Sequence, residues 1–172
     1  MSNTNGYMTN TGVRSRGDRP TANSQNGKPK LDADDVMVSY TKGRRDFSMV
    51  TLNSVTLQRV SLAGSSFSDA KLQKANFQNS DLSGVNFGRA NLSKASLRGT
   101  NLGRTYFSNA NLSGADLRGA NLNYATLSNA NLRGANLCGA DLTGARVTSE
   151  QLDMAKTNWS TIFPDGKRGR MR

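Results

Sequence analysis

Ala110-Asn111-Leu112-Ser113-Gly114 runs directly into Ala115-Asp116-Leu117-Arg118-Gly119, and Ala135-Asn136-Leu137-Cys138-Gly139 repeats the same five-residue pattern. Outward from these units, a large apolar residue returns at every fifth position in both directions. The series starts at Phe47 and passes through Leu52, Leu57, Leu62, Phe67, Leu72, Phe77, Leu82, Phe87, Leu92, Leu97, Leu102 and Phe107. It continues from Leu112 by fives to Leu142 and ends at Val147, twenty-one positions in phase. Two residues before each stands a small or β-branched side chain: Val50, Val55 and Val60, then mostly Ala from Ala70 to Ala145, with Ser and Thr as exceptions. Two residues after it, Gly recurs at 64, 84, 99, 114, 119, 134, 139 and 144.

A period of five suits neither standard element. On a helix, successive fifth residues advance by about 140° and scatter around the axis. On a straight strand they alternate between faces, which would leave half of them in water. A path that turns a corner every five residues keeps them all inside. Four corners close a square coil of twenty residues, and stacked coils then pair like parallel strands. Phe47, Phe67, Phe87 and Phe107 are spaced by twenty, so this register places them in one vertical stack. The expected fold is all-β, a quadrilateral parallel β-helix of about five coils, roughly 25 Å long at the usual strand spacing. Gly after the central residue supplies the positive φ that the third position of a type II turn requires. Asn, Asp, Ser or Thr before the central residue, as at Asn91, Asp116, Asn131 and Asp141, can bond neighbouring backbone groups.

Composition agrees with a repeat rather than a mixed hydrophobic core: only 35% of the 172 residues are apolar and 6% aromatic. Net charge is +11, divided as +4 over residues 1–45, +5 over 46–147 and +2 over 148–172. Such a balance favours anionic partners. Histidine is absent and Cys138 is the lone cysteine, so the commonest general base and metal ligand are missing and no internal disulfide forms. No early apolar run suits a secretory signal, and no window suits a membrane span, so the expected location is cytoplasmic.

A stack of coils needs its ends covered. Residues 31–45 read as an N-terminal cap, with a short helix over 31–41 started by Asp32 or Asp34 and ended by Gly43. Val36, Met37 and Tyr40 would face the first coil. Residues 148–166 read as a C-terminal helical cap, in which Thr148 and Gln151 form a capping box for a helix reaching about Lys156. Leu152 keeps the phase, and Trp159, Ile162 and Phe163 offer bulk to close that end. Residues 1–30 read as a disordered basic segment and 167–172 as a basic tail.

The units quoted above resemble the A-[D/N]-L-x-x signature of pentapeptide-repeat proteins. The stretch Tyr40-Thr41-Lys42-Gly43-Arg44-Arg45-Asp46-Phe47 is similar to the Y-x-x-G-x-R-x-F lead-in of cyanobacterial members, and Ile162-Phe163-Pro164-Asp165-Gly166 to their common ending. The resemblance covers about residues 46–147 and implies a right-handed quadrilateral β-helix.

No catalytic set emerges. The coil carboxylates are Asp46, Asp69, Asp81, Asp116 and Asp141. Asp81 and Asp141 share a face but lie three coils, roughly 14 Å, apart. Cys138 sits on an outward position. Neither a catalytic residue nor a cofactor or metal site is expected, and no small-molecule substrate. Specificity must lie on outward rows: Arg59, Arg98 and Arg118 on one face, Lys71, Lys74, Lys94 and Arg133 on another, and Tyr106 and Tyr124 on two adjacent faces. Like charges stacked at strand spacing repel, so an anionic partner would relieve them. The leading reading is a non-enzymatic scaffold presenting rigid faces to a protein partner, with a homodimer through a coil end as a further expectation. One alternative is binding of nucleic acid or an anionic membrane through the basic faces and tails. Another, implied by quinolone-resistance members of the family, is DNA mimicry toward a type II topoisomerase, for which the coil's +5 has the wrong sign.

Overall fold

A computed structural model describes residues 31–168; the expected disordered segment 1–30 and all but the first two residues of the basic tail lie outside the described residues. From Asp46 to Arg146 every bridge between neighbouring segments is parallel and joins residue i to residue i+20. The twenty-residue coil is therefore the register. Each coil has four sides, beginning at residues 46, 51, 56 and 61 and recurring every twenty; we call them the first to fourth faces.

A five-residue unit can coil without stranding polar backbone because each of its N–H groups has an acceptor. In the unit around Leu92, Ala90 N–H donates back across the turn to Phe87 C=O at 3.0 Å, and Asn91 N–H donates down to Ala70 C=O at 2.9 Å. Leu92 and Lys94 N–H donate up to Asn111 and Ser113 C=O at 2.8 and 2.9 Å. Ser93 N–H is taken by Asn91 Oδ1 at 3.1 Å. That side-chain bond recurs at Asn76, Asn86, Asn111, Asp116, Asn131 and Asp141, which is why short Asx residues dominate the position before the central one.

The corner geometry requires positive φ two residues after every central residue from Met49 to Gly144. Glycine fills eight of these positions. The other twelve, including Met49, Arg59, Lys74, Lys94, Arg104 and Tyr124, adopt φ of 56–61° with a full side chain. The glycine pattern thus marks only part of a turn that the whole coil makes.

Inside, the central residues from Phe47 to Leu142 are buried, and so are their small partners from Ser65 to Ala145. The phenylalanines stack as the spacing predicts, with ring centroids 5.2, 5.7 and 5.4 Å apart along Phe47, Phe67, Phe87 and Phe107. Phe77 meets Phe87 edge-on at 6.2 Å. Where Ser or Thr replaces Ala in the narrow inner position, the hydroxyl donates to a turn carbonyl one coil below: Ser80 to Leu57, Thr100 to Phe77 and Thr105 to Leu82. Ser65 has no coil beneath it, and its buried hydroxyl has no partner among the described residues.

The N-terminal cap is α1, Ala33–Thr41, opened by a capping box between Asp32 and Asp35. Gly43 (φ 93°) ends it, with Gly43 N–H on Tyr40 C=O and Arg44 N–H on Ser39 C=O, both 3.0 Å. This is the paired closure of a Schellman ending. Val36 is fully buried against the coil. Tyr40 Oη donates to Ala63 C=O at 3.1 Å, and its ring carries the Arg45 guanidinium at 3.8 Å. The Tyr40, Gly43, Arg45 and Phe47 lead-in is therefore a structural clasp on the first coil.

The C-terminal cap departs from expectation. The capping box of Thr148 and Gln151 is present, but α2 spans only Ser149–Asp153. Gln151 is buried, and its Nε2 donates to Leu127 and Ala130 C=O at 2.7 and 2.8 Å, which fixes the short helix to the coil below. The chain then resumes coiling rather than remaining helical: Lys156 pairs with Asn136, and Ile162 with Asp141. The second pairing spans 21 residues, so one extra residue breaks the register at the end of the rod. Thr161 fills the inner position there, donating to Leu137 C=O at 2.9 Å. Trp159 does not close the end as expected; it is 55% exposed. Ile162 instead pairs antiparallel with Arg168 across the Pro164-Asp165-Gly166 turn.

Two substitutions test this account. Phe87→Ala removes the ring that touches three others and should destabilise by about 3–5 kcal/mol in denaturant unfolding. Met49→Gly relieves a left-handed residue at an exposed corner and should instead stabilise, by about 0.5–1 kcal/mol after glycine's entropy cost. A destabilised Met49→Gly would show that the corner does not demand the left-handed form.

Candidate interaction surfaces

With the interior filled by apolar side chains and no group of His, Cys, Asp or Glu arranged to hold a metal among the described residues, chemistry is left to the faces. The register sorts their charges. The first face carries Asp46, Asp69, Arg89 and Arg146, and the fourth Asp81, Asp141 and Arg104. The third carries Arg59, Arg98 and Arg118 with Asp116. The second carries Lys71, Lys74, Lys94 and Arg133 and no carboxylate within the repeat; Asp153, at the end of α2, follows one coil above Arg133.

Lys71, Lys74, Lys94 and Arg133 are all exposed, and none makes an ion pair among the described residues. Lys74 and Lys94 stand one coil apart at left-handed corners, over a shallow depression lined by Asn53, Ser54, Gln73 and Ser93. The structure thus gathers this predicted set on a single side with none of the four paired among the described residues.

The third face differs from the sequence expectation of an unrelieved arginine stack. Arg118 is held by Asp116 of its own unit, Nε to Oδ1 at 2.8 Å and Nη2 to Oδ2 at 2.6 Å. Asp116 also lies within the field of Arg98. Arg59 and Arg98 keep exposed guanidinium groups without an ion pair among the described residues. On the first face Arg89 grips Asp69 one coil below through two bonds of 2.7 Å. These pairings were not read from the sequence, although Asp69 and Arg89 stand twenty apart and Asp116 and Arg118 flank one leucine.

Tyr106 and Tyr124 are 54% and 62% exposed. Although they belong to different faces, the structure brings them to one corner, where Arg104, Thr126, Gly144 and Arg146 complete a shallow cleft. Arg104 and Arg146 were not singled out by sequence reasoning. Cys138 is half-buried directly above Arg118.

Comparison with known proteins fits this geometry. The family model for pentapeptide repeats matches in eight copies, over residues 51–89, 86–123 and 120–149. The chain belongs to the pentapeptide-repeat family. Its fold is accordingly the family's right-handed quadrilateral β-helix. Among solved structures it is similar to the pentapeptide-repeat protein Rfr23 from the cyanobacterium Cyanothece 51142, at 28% identity over 73% of this chain and 96% of that one, with a TM-score of 0.41. HetL from the cyanobacterium Nostoc sp. strain PCC 7120, involved in heterocyst differentiation regulation, is 21% identical over 81% of this chain and all of its own, with a TM-score of 0.28. Full-length QnrB1, a plasmid-mediated fluoroquinolone resistance protein, is 20% identical over 74% of this chain and 77% of its own, with a TM-score of 0.36. No curated protein sequence matches the chain.

As a pentapeptide-repeat protein, the chain has its outer turns as the sites of tunable charge, and two carboxyls show how local pairing sets it. The bidentate Arg118 bond, aided by the Arg118 N–H and the Arg98 charge, holds Asp116 below its ordinary 3.8. Arg89 does the same for Asp69. A lowered folded-state value stabilises the fold at neutral pH, and that contribution is lost as pH falls below 3.8 through the folded value. Carboxyl NMR titration should place both midpoints under 3.8. Arg118→Gln should return Asp116, and Arg89→Gln should return Asp69, toward that value; unmoved midpoints would sink the pairing.

Proposed function

We propose that this protein is a non-enzymatic binding scaffold whose second face docks on an acidic surface of a partner protein. The observation that carries the reading is the segregation of charge: within the repeat, four cations and no carboxylate on one side of a rod whose other sides mix both signs. The backbone bonds that fix each corner also fix the spacing of the cations' attachment points, so ordering on docking is confined to their side chains. Lys71, Lys74 and Lys94 carry long exposed stems, while Arg133 adds a fork suited to carboxylates. Arg59 and Arg98 on the adjoining third face extend the positive field around the corner.

The charge arrangement weighs against DNA mimicry. The coil has five carboxylates, and Asp69 and Asp116 are already bound to arginines. A cytoplasmic location belongs to the same proposal and is supported by the free thiol of Cys138.

The test compares wild-type protein with the double variant Lys71→Glu and Lys94→Glu, each used to capture partners from the native host. A partner held by the wild type and lost by the variant, with unchanged thermal stability, is the expected outcome. A partner retained equally by both would move recognition off the second face. Binding of duplex DNA or phosphatidylglycerol vesicles that disappears with the same two substitutions would replace the protein partner by a polyanion.

A further inference from the structure

Two outward positions of the repeat favour residue types that serve the fold. Before the central residue it is Asn, Asp, Ser or Thr, and two after it the left-handed corner suits Gly. Of the twenty-one positions before a central residue, only Lys71, Tyr106 and Arg146 fall outside the four short polar types. Tyr106 and Arg146 are on the same corner of the rod. On the adjoining edge, Arg104 and Tyr124 hold left-handed corners at φ 57° and 58°. Tyr124 is the one aromatic residue among the twelve side chains that adopt this conformation. Tyr106 and Arg146 therefore depart from the short polar types usual at their position, Tyr124 is the lone aromatic at a left-handed corner, and Arg104 stands beside them.

The Tyr124 ring is held in place. A Cβ on Gly144 would lie 2.6 Å from Cδ1 and Cε1 of Tyr124, so the ring rests against bare backbone one coil above its own. Arg104 stands one coil below Tyr124, and Arg146 two coils above Tyr106. Neither guanidinium makes an ion pair or a side-chain hydrogen bond among the described residues. Thr126 and Gly144 complete the lining, and no further apolar side chain adjoins the rings. An anchor for a protein would be embedded in an apolar centre. Two exposed rings in polar surroundings, that of Tyr124 held against Gly144, with two free guanidinium groups instead suit a ligand that is flat on its faces and anionic along its edge.

We propose that the corner formed by Arg104, Tyr106, Tyr124 and Arg146 binds nucleotide units, with bases stacked on the tyrosines and phosphates held by the arginines. The sources of that chemistry are a single-stranded nucleic acid and a free nucleotide. This site is diagonal to the corner between the second and third faces, so it is independent of the docking face proposed above and can be occupied together with it.

The probe is a fluorescein-labelled eight-residue oligothymidylate, read by anisotropy against salt concentration, with the unlabelled oligonucleotide, AMP and poly-glutamate as competitors. The decisive variants are Tyr124→Gly and Tyr106→Asn, because each restores the residue type the repeat prefers. Both should keep or raise the thermal midpoint while weakening the oligonucleotide roughly tenfold or more. Arg104→Gly and Arg146→Asn should each lower the salt slope by about 0.7 for a single strand. Competition by the oligonucleotide but not by AMP assigns a single strand, and equal competition by AMP per nucleotide assigns a free nucleotide; either supports the site. Oligonucleotide binding that is absent at low salt, or unmoved by both tyrosine variants, overturns it. So does preferential displacement by poly-glutamate, which would make the corner a protein-docking surface.

Discussion

The structure depends on one closed account of backbone hydrogen bonds. A unit of five residues brings five N–H groups; the coil places one across its own turn, one downward and two upward, and the fifth on the preceding side chain wherever that is Asn or Asp. Nothing is left over to reward a longer strand or a helix, so the chain turns at every fifth residue without large side chains to force it. The interior then has a constant cross-section, with one large and one small residue per side. This is why a chain with so few apolar residues folds: a rod with uniform sections wastes no hydrophobe on filling an irregular centre.

That account also separates structural from expendable positions. The inward pair is fixed by volume, and the residue before it by its bond to the turn. The corner tolerates many side chains, each paying a modest conformational cost when it is not glycine. Arginines, lysines and a tyrosine at the corners are consequently the places where this rod carries information. The charge that composition spreads along the chain is, in three dimensions, concentrated on the second face and reduced elsewhere by Asp69–Arg89 and Asp116–Arg118.

Much of the fold was legible because its period is incompatible with other elements. The spacing of Phe47, Phe67, Phe87 and Phe107 was enough for the register, and Thr148 with Gln151 for the start of α2. What escaped the sequence was decided by local competition. Gln151 reads as a helix residue, yet its amide is committed to Leu127 and Ala130, and Ala135 C=O then recruits Lys156 N–H back into the coil. Positive φ at Arg104 or Tyr124 is invisible beside the glycines because it follows from the corner rather than from the residue. For the candidate surfaces, face membership was readable for every cation, but membership alone does not show that Arg118 is paired or that Tyr106 and Tyr124 line one cleft across an edge.

The change of pairing distance from twenty to twenty-one residues at Ile162 has a consequence for how such a protein can lengthen or shorten. Adding or losing a whole coil keeps every column above and below it aligned, so duplication of one coil is a neutral edit of height. Adding or losing a single five-residue unit instead rotates everything beyond it by a quarter turn. The rod would still stack, yet the side facing a given partner at one end would no longer continue at the other. Length in this architecture therefore comes in two grades of step, one that extends a surface and one that redirects it.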